Sequence, residues 1–270
     1  MANFTALNIA ATGMIAQDKK VDDIANNIAN ASTDGFKKSF TQFYDLSYHT
    51  EKRPGLPVGD GDQRTPVGVQ FGRGVAVGAT IKSFKVGTPI NREGNPLTAM
   101  IDGAYNNFFI VTLPDGRRAY TRNGNFEKNG DTGRLETTMG HPIEDEIIIP
   151  ADAQDFNIAR NGEVFVKFSN QTELENVGRI RLARFVNPAG LEAIGDNLFI
   201  ETDASGEAVD GDPTDDNFAS IKQYWIESSN VQIINEVVDL IKAHQTYSMN
   251  SKIIQTEEKM MEEVARIKSA

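Results

Sequence analysis

The two ends of the chain carry long segments of regularly spaced apolar residues, and these segments most constrain how the chain can fold. Alternating steps of three and four residues meet seven apolar residues out of eight within residues 4–36 and six out of eight within residues 228–268. The first set is Phe4, Leu7, Ala11, Met14, Asp18, Val21, Ala25 and Ile28; the second is Leu240, Ala243, Tyr247, Asn250, Ile254, Glu257, Met261 and Val264. Heptad-like seams of this kind predict two long helices that pair along them.

The second segment is apolar around most of its circumference near its start. Val237, Leu240 and Ile241 belong to this region, together with Ile233, Ile234 and Val238. A helix of this composition needs partners on more than one side. The first segment runs into the turn-forming sequence Asn30–Gly35, where Gly35 can adopt the left-handed conformation that follows a helix end.

The middle of the chain has the pattern of short strands separated by turns. Apolar residues alternate with glycine or polar residues from Val67 to Ile81, which is typical of half-buried strands. Further strands are predicted at 99–101, 108–113, 118–122, 133–137, 147–149, 155–159, 163–168, 178–185, 197–201 and 221–226. Residues 51–68 contain three prolines and four glycines and are expected to be irregular and extended, and 210–216 is expected to be an exposed acidic loop.

These patterns predict an α+β protein in which a discontinuous coiled-coil domain, made of the N- and C-terminal helices, carries an inserted mainly-β domain and an extended arm. The expected boundaries are 1–36 and 229–270 for the helical domain, 37–74 for the linker and arm, and 75–228 for the mainly-β domain.

Charge and composition exclude several classes of function. The chain has 38 acidic and 27 basic residues, a formal charge of −11, so a nucleic-acid backbone would be repelled and is not expected as a partner. Cysteine is absent, which excludes disulfides and thiolate metal sites. No apolar run approaches eighteen residues, and the first residues lack the basic start of a cleaved signal peptide, so neither membrane insertion nor such a peptide is expected.

Catalytic and metal-binding patterns are weak. His49, His141 and His244 share no ligand spacing. The glycines near Gly72 lie within a strand pattern rather than before a helix, and Asp215 stands where a calcium loop needs glycine. We therefore expect no catalytic residue, cofactor or metal, although a secreted carbohydrate-active enzyme and a monomeric adhesin-like module remain alternatives.

Several motifs resemble one known family. Asn26–Lys37 (NNIANASTDGFK) is similar to the N-terminal signature of the bacterial flagellar axial proteins, the rod and hook family, and Glu227–Val231 with Gln245–Lys252 is similar to its C-terminal signature. Tyr120–Phe126 and Gly190–Phe199 resemble the distal rod type within that family. Residues 102–109 and the start Met1–Asn3 depart from the usual family pattern, which leaves local contacts there open.

The resemblance implies a structural subunit that polymerises helically into the distal rod and transmits torque to the hook, with another proximal rod or hook protein as the alternative. It implies partners among copies of the same chain, proximal rod proteins, hook protein and the periplasmic and outer-membrane rings. It also implies a place in the basal body, reached by flagellar export.

The resemblance also assigns site residues. Those expected to assemble the inner helices are Phe4, Leu7, Met14, Val21, Ile28, Asn26, Asn27, Asn30, Val237, Leu240, Ile241, Tyr247, Asn250, Ile254, Met261 and Val264. The rod arm is expected to use Asp45, Leu46, Tyr48, Arg53, Pro54, Gly55 and Pro66. For Asn26, Asn27 and Asn30, helix capping and hydrogen bonding between subunits remain equally open, and ordinary intramolecular packing remains an alternative for the seams.

Overall fold

A computed structural model describes residues 3–55, 66–145, 147–168 and 174–269. The chain forms two compact units. The helical unit comprises Met1–Ile28, Ser39–Ile81 and Ile233–Ala270, and the β unit comprises Ala29–Lys38 and Lys82–Gln232. N- and C-terminal helices therefore flank a mainly-β region along the chain, which confirms the predicted α+β class.

Both terminal helices are present: the first ends just before the predicted turn sequence Asn30–Gly35, and the second begins five residues after the start of the predicted segment 228–268. Helix α1 spans Asn3–Ala29, and helix α2 spans Ile233–Ser269. After α1 the chain turns through residues 30–35, where Gly35 has a φ of 73°, a conformation that glycine adopts without steric cost. Before α2, residues 228–232 are not helical because their polar groups bond elsewhere: Ser228 N donates to Thr88 O and Asn230 N donates to Phe36 O.

A two-stranded antiparallel ribbon flanks the segment that was predicted to be irregular, residues 51–68. Strand β1 (Ser39–Asp45) pairs with β4 (Val75–Lys82), and β2 (His49–Lys52) pairs with β3 (Val69–Phe71). Leu46 N donates to Gly74 O at 3.0 Å between the two ladders. Within the predicted irregular segment, only Glu51 and Lys52 belong to a strand; residues 53–55 and 66–68 are in turns, bends or irregular structure as predicted, and 56–65 lies outside the described residues.

The β unit contains the remaining strands. Its largest sheet has six strands in the order β15-β16-β8-β7-β14-β17, and a second sheet has the order β11-β12-β13. The other pairs are β9 with β10, β6 with β18 and β5 with β19. The strands are β5 Pro89–Asn91, β6 Ala99–Asp102, β7 Asn107–Thr112, β8 Arg118–Thr121, β9 Phe126–Lys128, β10 Leu135–Thr137, β11 Ala153–Ile158, β12 Glu163–Phe168, β13 Leu174–Arg179, β14 Leu182–Arg184, β15 Glu192–Gly195, β16 Leu198–Ile200, β17 Val209–Gly211, β18 Ser220–Gln223 and β19 Trp225–Glu227, with a short 3-10 helix at Pro188–Gly190.

Four sequence expectations about this region need correction. Residues 147–149 form only an isolated bridge, Arg134 with Ile148. The strand expected at 178–185 is two strands, β13 and β14, and that expected at 221–226 is broken at Tyr224, whose φ is 65°. The acidic stretch is not wholly a loop, because Asp210 pairs with Ala183 in the sheet and Asp212 forms an ion pair with Arg179.

Three groups of buried apolar side chains form the interior of the β unit. The largest surrounds Phe109 and Ile221, a second surrounds Phe108, Phe185 and Phe199, and a third includes Val111 and Leu198. Phe108 packs edge to face on Phe185 with ring centroids 5.6 Å apart, a geometry favoured by aromatic quadrupoles. This interior holds β7 and β8 in place and so positions Arg122, which follows β8.

Within the described ranges, no helix combines the length and the hydropathy needed to cross a membrane. The same ranges contain no grouping of three or more histidine, aspartate or glutamate side chains placed to hold a metal ion.

Candidate assembly surfaces and the buried ion cluster

A buried ion cluster in the β unit consists of Lys37, Arg122 and Glu227, whose residues are each 1% exposed. Lys37 Nζ and Gly87 N donate to Glu227 Oε1, the latter at 2.7 Å. Arg122 donates to Glu227 Oε2 through Nε at 2.9 Å and Nη2 at 2.6 Å. Each oxygen of the one carboxylate thus accepts two hydrogen bonds, which is how a buried charge is compensated.

The cluster holds two cations for one anion, and backbone carbonyls accept the remaining N–H groups. Arg122 Nη1 donates to Ala104 O and Asn107 O, both at 2.7 Å, and Lys37 Nζ donates to Lys85 O at 2.9 Å. Burial lowers the pKa of Lys37 to about 8; Glu227 opposes this shift and Arg122 adds to it. Burial alone would raise the pKa of Glu227, but Arg122, Lys37 and Gly87 outweigh it and hold that pKa below its ordinary value.

Asn230 adds a second set of hydrogen bonds beside the cluster. Its Oδ1 accepts from Lys38 N at 2.8 Å, and its Nδ2 donates to Ser83 O at 2.7 Å and to Lys85 O at 3.0 Å. Gly35 N also donates to Glu227 O at 2.7 Å. The motifs around Lys37, Arg122 and Glu227–Asn230, which lie far apart in the sequence, therefore meet at one buried site.

Asn27 belongs to the helical unit and is used inside the chain. It is 2% exposed, and it bonds the backbone of Ser39 in both directions: Nδ2 donates to Ser39 O at 2.8 Å and Ser39 N donates to Oδ1 at 3.0 Å. Nδ2 also donates to Glu236 Oε2 at 3.2 Å. These bonds use both amide protons of Asn27 within the chain and tie α1 to Ser39 of β1 and to Glu236 of α2.

The other two asparagines of the motif lie nearer the surface. Asn30 Oδ1 accepts from Thr33 Oγ1 at 3.2 Å, which is a local contact within the turn after α1. Asn26 is exposed on α1.

Two contacts show that α1 and α2 run in opposite directions. Asn27 meets Glu236, and a Cβ atom placed on Gly13 would lie 2.7 Å from Asn250 Nδ2. The two α1 positions are fourteen residues apart, as are the two α2 positions, so both helices advance at the same rate along the contact. This is two heptads on each helix, the repeat expected of paired helices.

The face of α1 that is most buried lies one residue away from the predicted seam. Ala10, Ile24 and Asn27 are at most 4% exposed, and each precedes a predicted seam residue by one position, as does Gly13. The predicted residues Leu7, Met14, Val21 and Ile28 are half-buried, and the side chain of Phe4 lies outside the described set. Two residues of this face, Gly13 and Asn27, make close contacts with α2.

The predicted residues of α2 divide into two groups. Leu240, Asn250, Ile254 and Met261 are half-buried, whereas Val237, Ile241, Tyr247 and Val264 are exposed by 41–57%. Ile233, Ile234 and Val238 are also exposed, by 44–80%. Residues 233–241 of α2 thus present a continuous apolar face that nothing within the described chain covers, and a face of this kind marks an interaction site.

The predicted arm residues lie along the outer part of the ribbon. Asp45, Arg53, Pro54, Gly55 and Pro66 are exposed, Tyr48 is 56% exposed and Leu46 is half-buried. Phe40, Tyr44 and Phe71 add further exposed aromatic rings on the same ribbon. The ribbon is bonded to α1 at Ser39 and Thr41, and its exposed side chains are available to a partner.

The sequence analysis missed the buried ion cluster. Its residues lay within quoted motifs, but Lys37 and Glu227 are 190 residues apart and Arg122 and Glu227 are 105 apart. The only local signal was the polarity of Glu227-Ser228-Ser229-Asn230 directly after a strand.

Three family descriptions match successive parts of the chain. The flagella basal body rod protein family matches residues 7–37, the flagellar hook protein FlgE/F/G D1 domain matches residues 100–166, and the flagellar basal body rod FlgEFG protein C-terminal family matches residues 222–267. The first match contains most of α1 together with Lys37, the second contains Arg122, and the third contains Glu227 and most of α2.

Whole-chain relatives give the same result. The flagellar basal-body rod protein FlgG of Caulobacter vibrioides is 42% identical over 98% of this chain and 99% of its own length, and that of Bacillus subtilis is 34% identical over 95% and 96%. The Bacillus subtilis flagellar hook-basal body complex protein FlhP is 26% identical over 93% and 95%.

One solved structure, the Helicobacter pylori flagellar hook protein FlgE2, is 12% identical with a TM-score of 0.24 over 71% of this chain and 43% of that one, which is too distant to support an argument. The argument from relatives instead comes from sequence identity that extends over nearly the full length of both proteins. The chain therefore belongs to the flagellar basal-body rod proteins of the FlgG type, which are structural subunits of the distal rod.

Proposed function

We propose that this rod subunit polymerises helically into a rigid drive shaft that transmits torque to the hook. The observation that carries the proposal is the uncovered apolar face of α2 at residues 233–241, where Ile234 is 80% exposed. Leaving such a face in water is unfavourable by roughly 25 cal/mol per Å² of apolar surface. A second copy that covers this face removes that cost.

The helical unit supplies the inner part of the polymer in this proposal. Antiparallel α1 and α2 act as one coiled-coil pair, joined through Asn27–Glu236 and Gly13–Asn250. Contacts between α1 and α2 cover the facing sides of the two helices, and the apolar face of α2 at residues 233–241 is left for neighbouring copies. Because that face packs against a different surface of the neighbour, the contact is heterologous and repeats without closing, which produces a filament.

The ribbon bridges neighbouring subunits. Its exposed aromatic rings, Tyr44, Tyr48 and Phe71, favour a protein surface as the partner, since aromatic residues are enriched in interfaces. In the same proposal the ends of the shaft meet proximal rod proteins and hook protein, the periplasmic and outer-membrane rings surround it, and the subunit reaches the periplasm by flagellar export without a cleaved signal peptide.

Electron microscopy of the purified full-length protein over a range of concentrations tests the proposal. We expect straight tubes above a critical concentration, and their loss on deletion of 1–30 or 235–270. Val237→Asp and Ile241→Asp should abolish tubes while leaving the monomer folded, because both side chains are exposed in the single chain. Gln245→Asp, at another exposed position of α2, is the matched control. Tubes that form normally from the two aspartate variants would contradict the proposal.

A further inference from the structure

Helix α2 extends beyond the start of α1. Both contacts between the helices join residues whose numbers sum to 263, so Asn3, the first residue of α1, lies level with residue 260 of α2. Helix α2 continues to Ser269, which is nine residues farther, or about 14 Å at 1.5 Å per residue. We call residues 260–269 the α2 tail.

The α2 tail carries an apolar ridge that α1 does not cover. Met260, Val264 and Ile267 follow one another at steps of four and three and are 43%, 57% and 77% exposed. The exposed fraction rises along the tail, and beyond residue 260 α1 has no residue in register with it. Val264 also continues the seam that includes Asn250, Ile254 and Met261, so the surface that α1 covers lower down is open here.

A groove in the helical unit lies on a different side of α1 from α2. It has a volume of about 460 Å³ and is lined by residues that include Thr5, Asn8, Thr12, Ile15, Leu46 and Arg73. Thr5, Asn8, Thr12 and Ile15 recur at steps of three and four, so they form one stripe along α1, and Ile15 is 63% exposed. Helix α1 has no charged residue from Asn3 to Gln17, so Arg73 is the single charge among the groove residues.

We propose that the α2 tail of one subunit lies in the α1 groove of another copy of this chain. The ridge at Met260, Val264 and Ile267 would cover the exposed apolar part of the groove, which is elongated along a helix. Charge is complementary beside the ridge: Glu263 lies three residues after Met260 and four before Ile267, so it flanks the ridge on the helix surface, and the groove holds Arg73.

The contact is head to tail, since the tail and the groove are different surfaces of the same unit. A head-to-tail contact repeats without closing unless a rotation returns it to its start. The inference rests on the proposed polymerisation and specifies one of its contacts.

Cysteine pairing tests the contact cleanly because the chain has no native cysteine. Chains carrying Asn8→Cys are mixed with chains carrying Val264→Cys, assembled under reducing conditions and then oxidised. We expect a covalent dimer in the mixture, and neither variant alone should give one in appreciable yield. The chain that carries both substitutions reports internal pairing, which geometry excludes: residue 264 lies nine residues, about 14 Å, from the α2 position level with Asn8, and a disulfide needs Cα atoms within about 7 Å.

The matched control pairs Val264→Cys with Asp22→Cys, an exposed position on α1 outside the groove. Tubes with a dimer from the Asn8 pair and none from the Asp22 pair support the inference. Tubes with no Asn8–Val264 dimer overturn it while the proposed polymerisation stands, and an absence of tubes from the unsubstituted chain overturns both.

Charge exchange provides a second measurement. Arg73→Glu should raise the critical concentration for assembly by about fivefold, the factor that one exposed ion pair can supply. Glu263→Lys in the same chain should restore it, because exchanging the two charges recreates the attraction in every tail–groove contact. An equal effect of Arg73→Glu with and without Glu263→Lys would count against charge pairing at this contact.

Discussion

Substitution of Glu227 by glutamine tests the most demanding electrostatic arrangement in the molecule. Glutamine keeps the shape of the side chain but removes the only anion of the buried ion cluster, so Lys37 and Arg122 remain as two buried cations. The NH2 group of the glutamine amide would also point its N–H donors at Lys37 or Arg122, where the carboxylate had offered an acceptor. Breaking a buried pair while leaving its partner charged costs about 3–5 kcal/mol, and we expect Glu227→Gln to lower the free energy of unfolding by this amount.

Lys37→Met is the matched comparison, because every acceptor that Lys37 serves keeps another donor. Glu227 Oε1 still accepts from Gly87 N at 2.7 Å, and Lys85 O still accepts from Asn230 Nδ2 at 3.0 Å. The substitution also leaves Arg122 and Glu227 as a neutral pair. We therefore expect a loss of only about 1 kcal/mol, the net value of an ordinary hydrogen bond.

Urea unfolding of the two full-length variants measures both quantities. The single tryptophan, Trp225, is half-buried two residues before Glu227 and has Lys222 Nζ 4.9 Å from its ring centroid, so its fluorescence reports on this part of the β unit. The reasoning is refuted if Glu227→Gln costs no more than Lys37→Met, since the excess cation would then carry no penalty.

Three further predictions concern single groups. The pKa of Glu227 is held below its ordinary value of 4.5, so the folded chain binds this proton less readily than the unfolded chain. The contribution of Glu227 to stability is therefore present above pH 4.5 and is lost as pH falls through the lowered pKa. When the free energy of unfolding is measured from pH 6 to 3, Glu227→Gln should make its decrease with falling pH less steep. Asn27→Ala should cost about 1–3 kcal/mol and speed hydrogen exchange of the Ser39 amide, since it leaves that buried N–H without its partner, whereas Asn26→Ala at an exposed position should leave Ser39 exchange unchanged. Gly35→Ala should lower the thermal unfolding midpoint through a loss of about 1–3 kcal/mol, because φ is 73° and the new Cβ would lie 2.8 Å from Asn123 N. Gly130→Ala, where the new Cβ would meet open space, is the control. Equal midpoints for the two variants would refute the argument.

The helices and strands show where local sequence is sufficient. Residues 163–168 form the predicted strand without change, because alternation of apolar and polar residues is a property of consecutive positions. The start of α2 was harder to place, since the residues before it bond distant groups: Asn230 bonds Lys38, Ser83 and Lys85 instead of entering α2.

The buried face of α1 shows where composition misleads. The more apolar stripe through Leu7, Met14 and Val21 was the natural seam, but the close contact uses Ala10, Gly13 and Asn27. Gly13 brings the helix near Asn250, and Asn27 bonds both Ser39 and Glu236. Shape and hydrogen bonding with specific partners chose this face, and neither is visible in hydrophobic spacing alone.

The sequence by itself determined the α+β organisation, the two amphipathic ends and the family, because periodicity, turn chemistry and local motifs are written in neighbouring residues. Only the tertiary structure decided that Lys37, Arg122 and Glu227 form one buried cluster, that Gly13 and Asn27 of α1 meet α2, and that the strands flanking residues 51–68 pair into a ribbon. These features depend on contacts between residues tens to hundreds of positions apart. The two terminal helices could thus be predicted, whereas the surfaces they leave open for other copies could be identified only once their contacts within one chain were known.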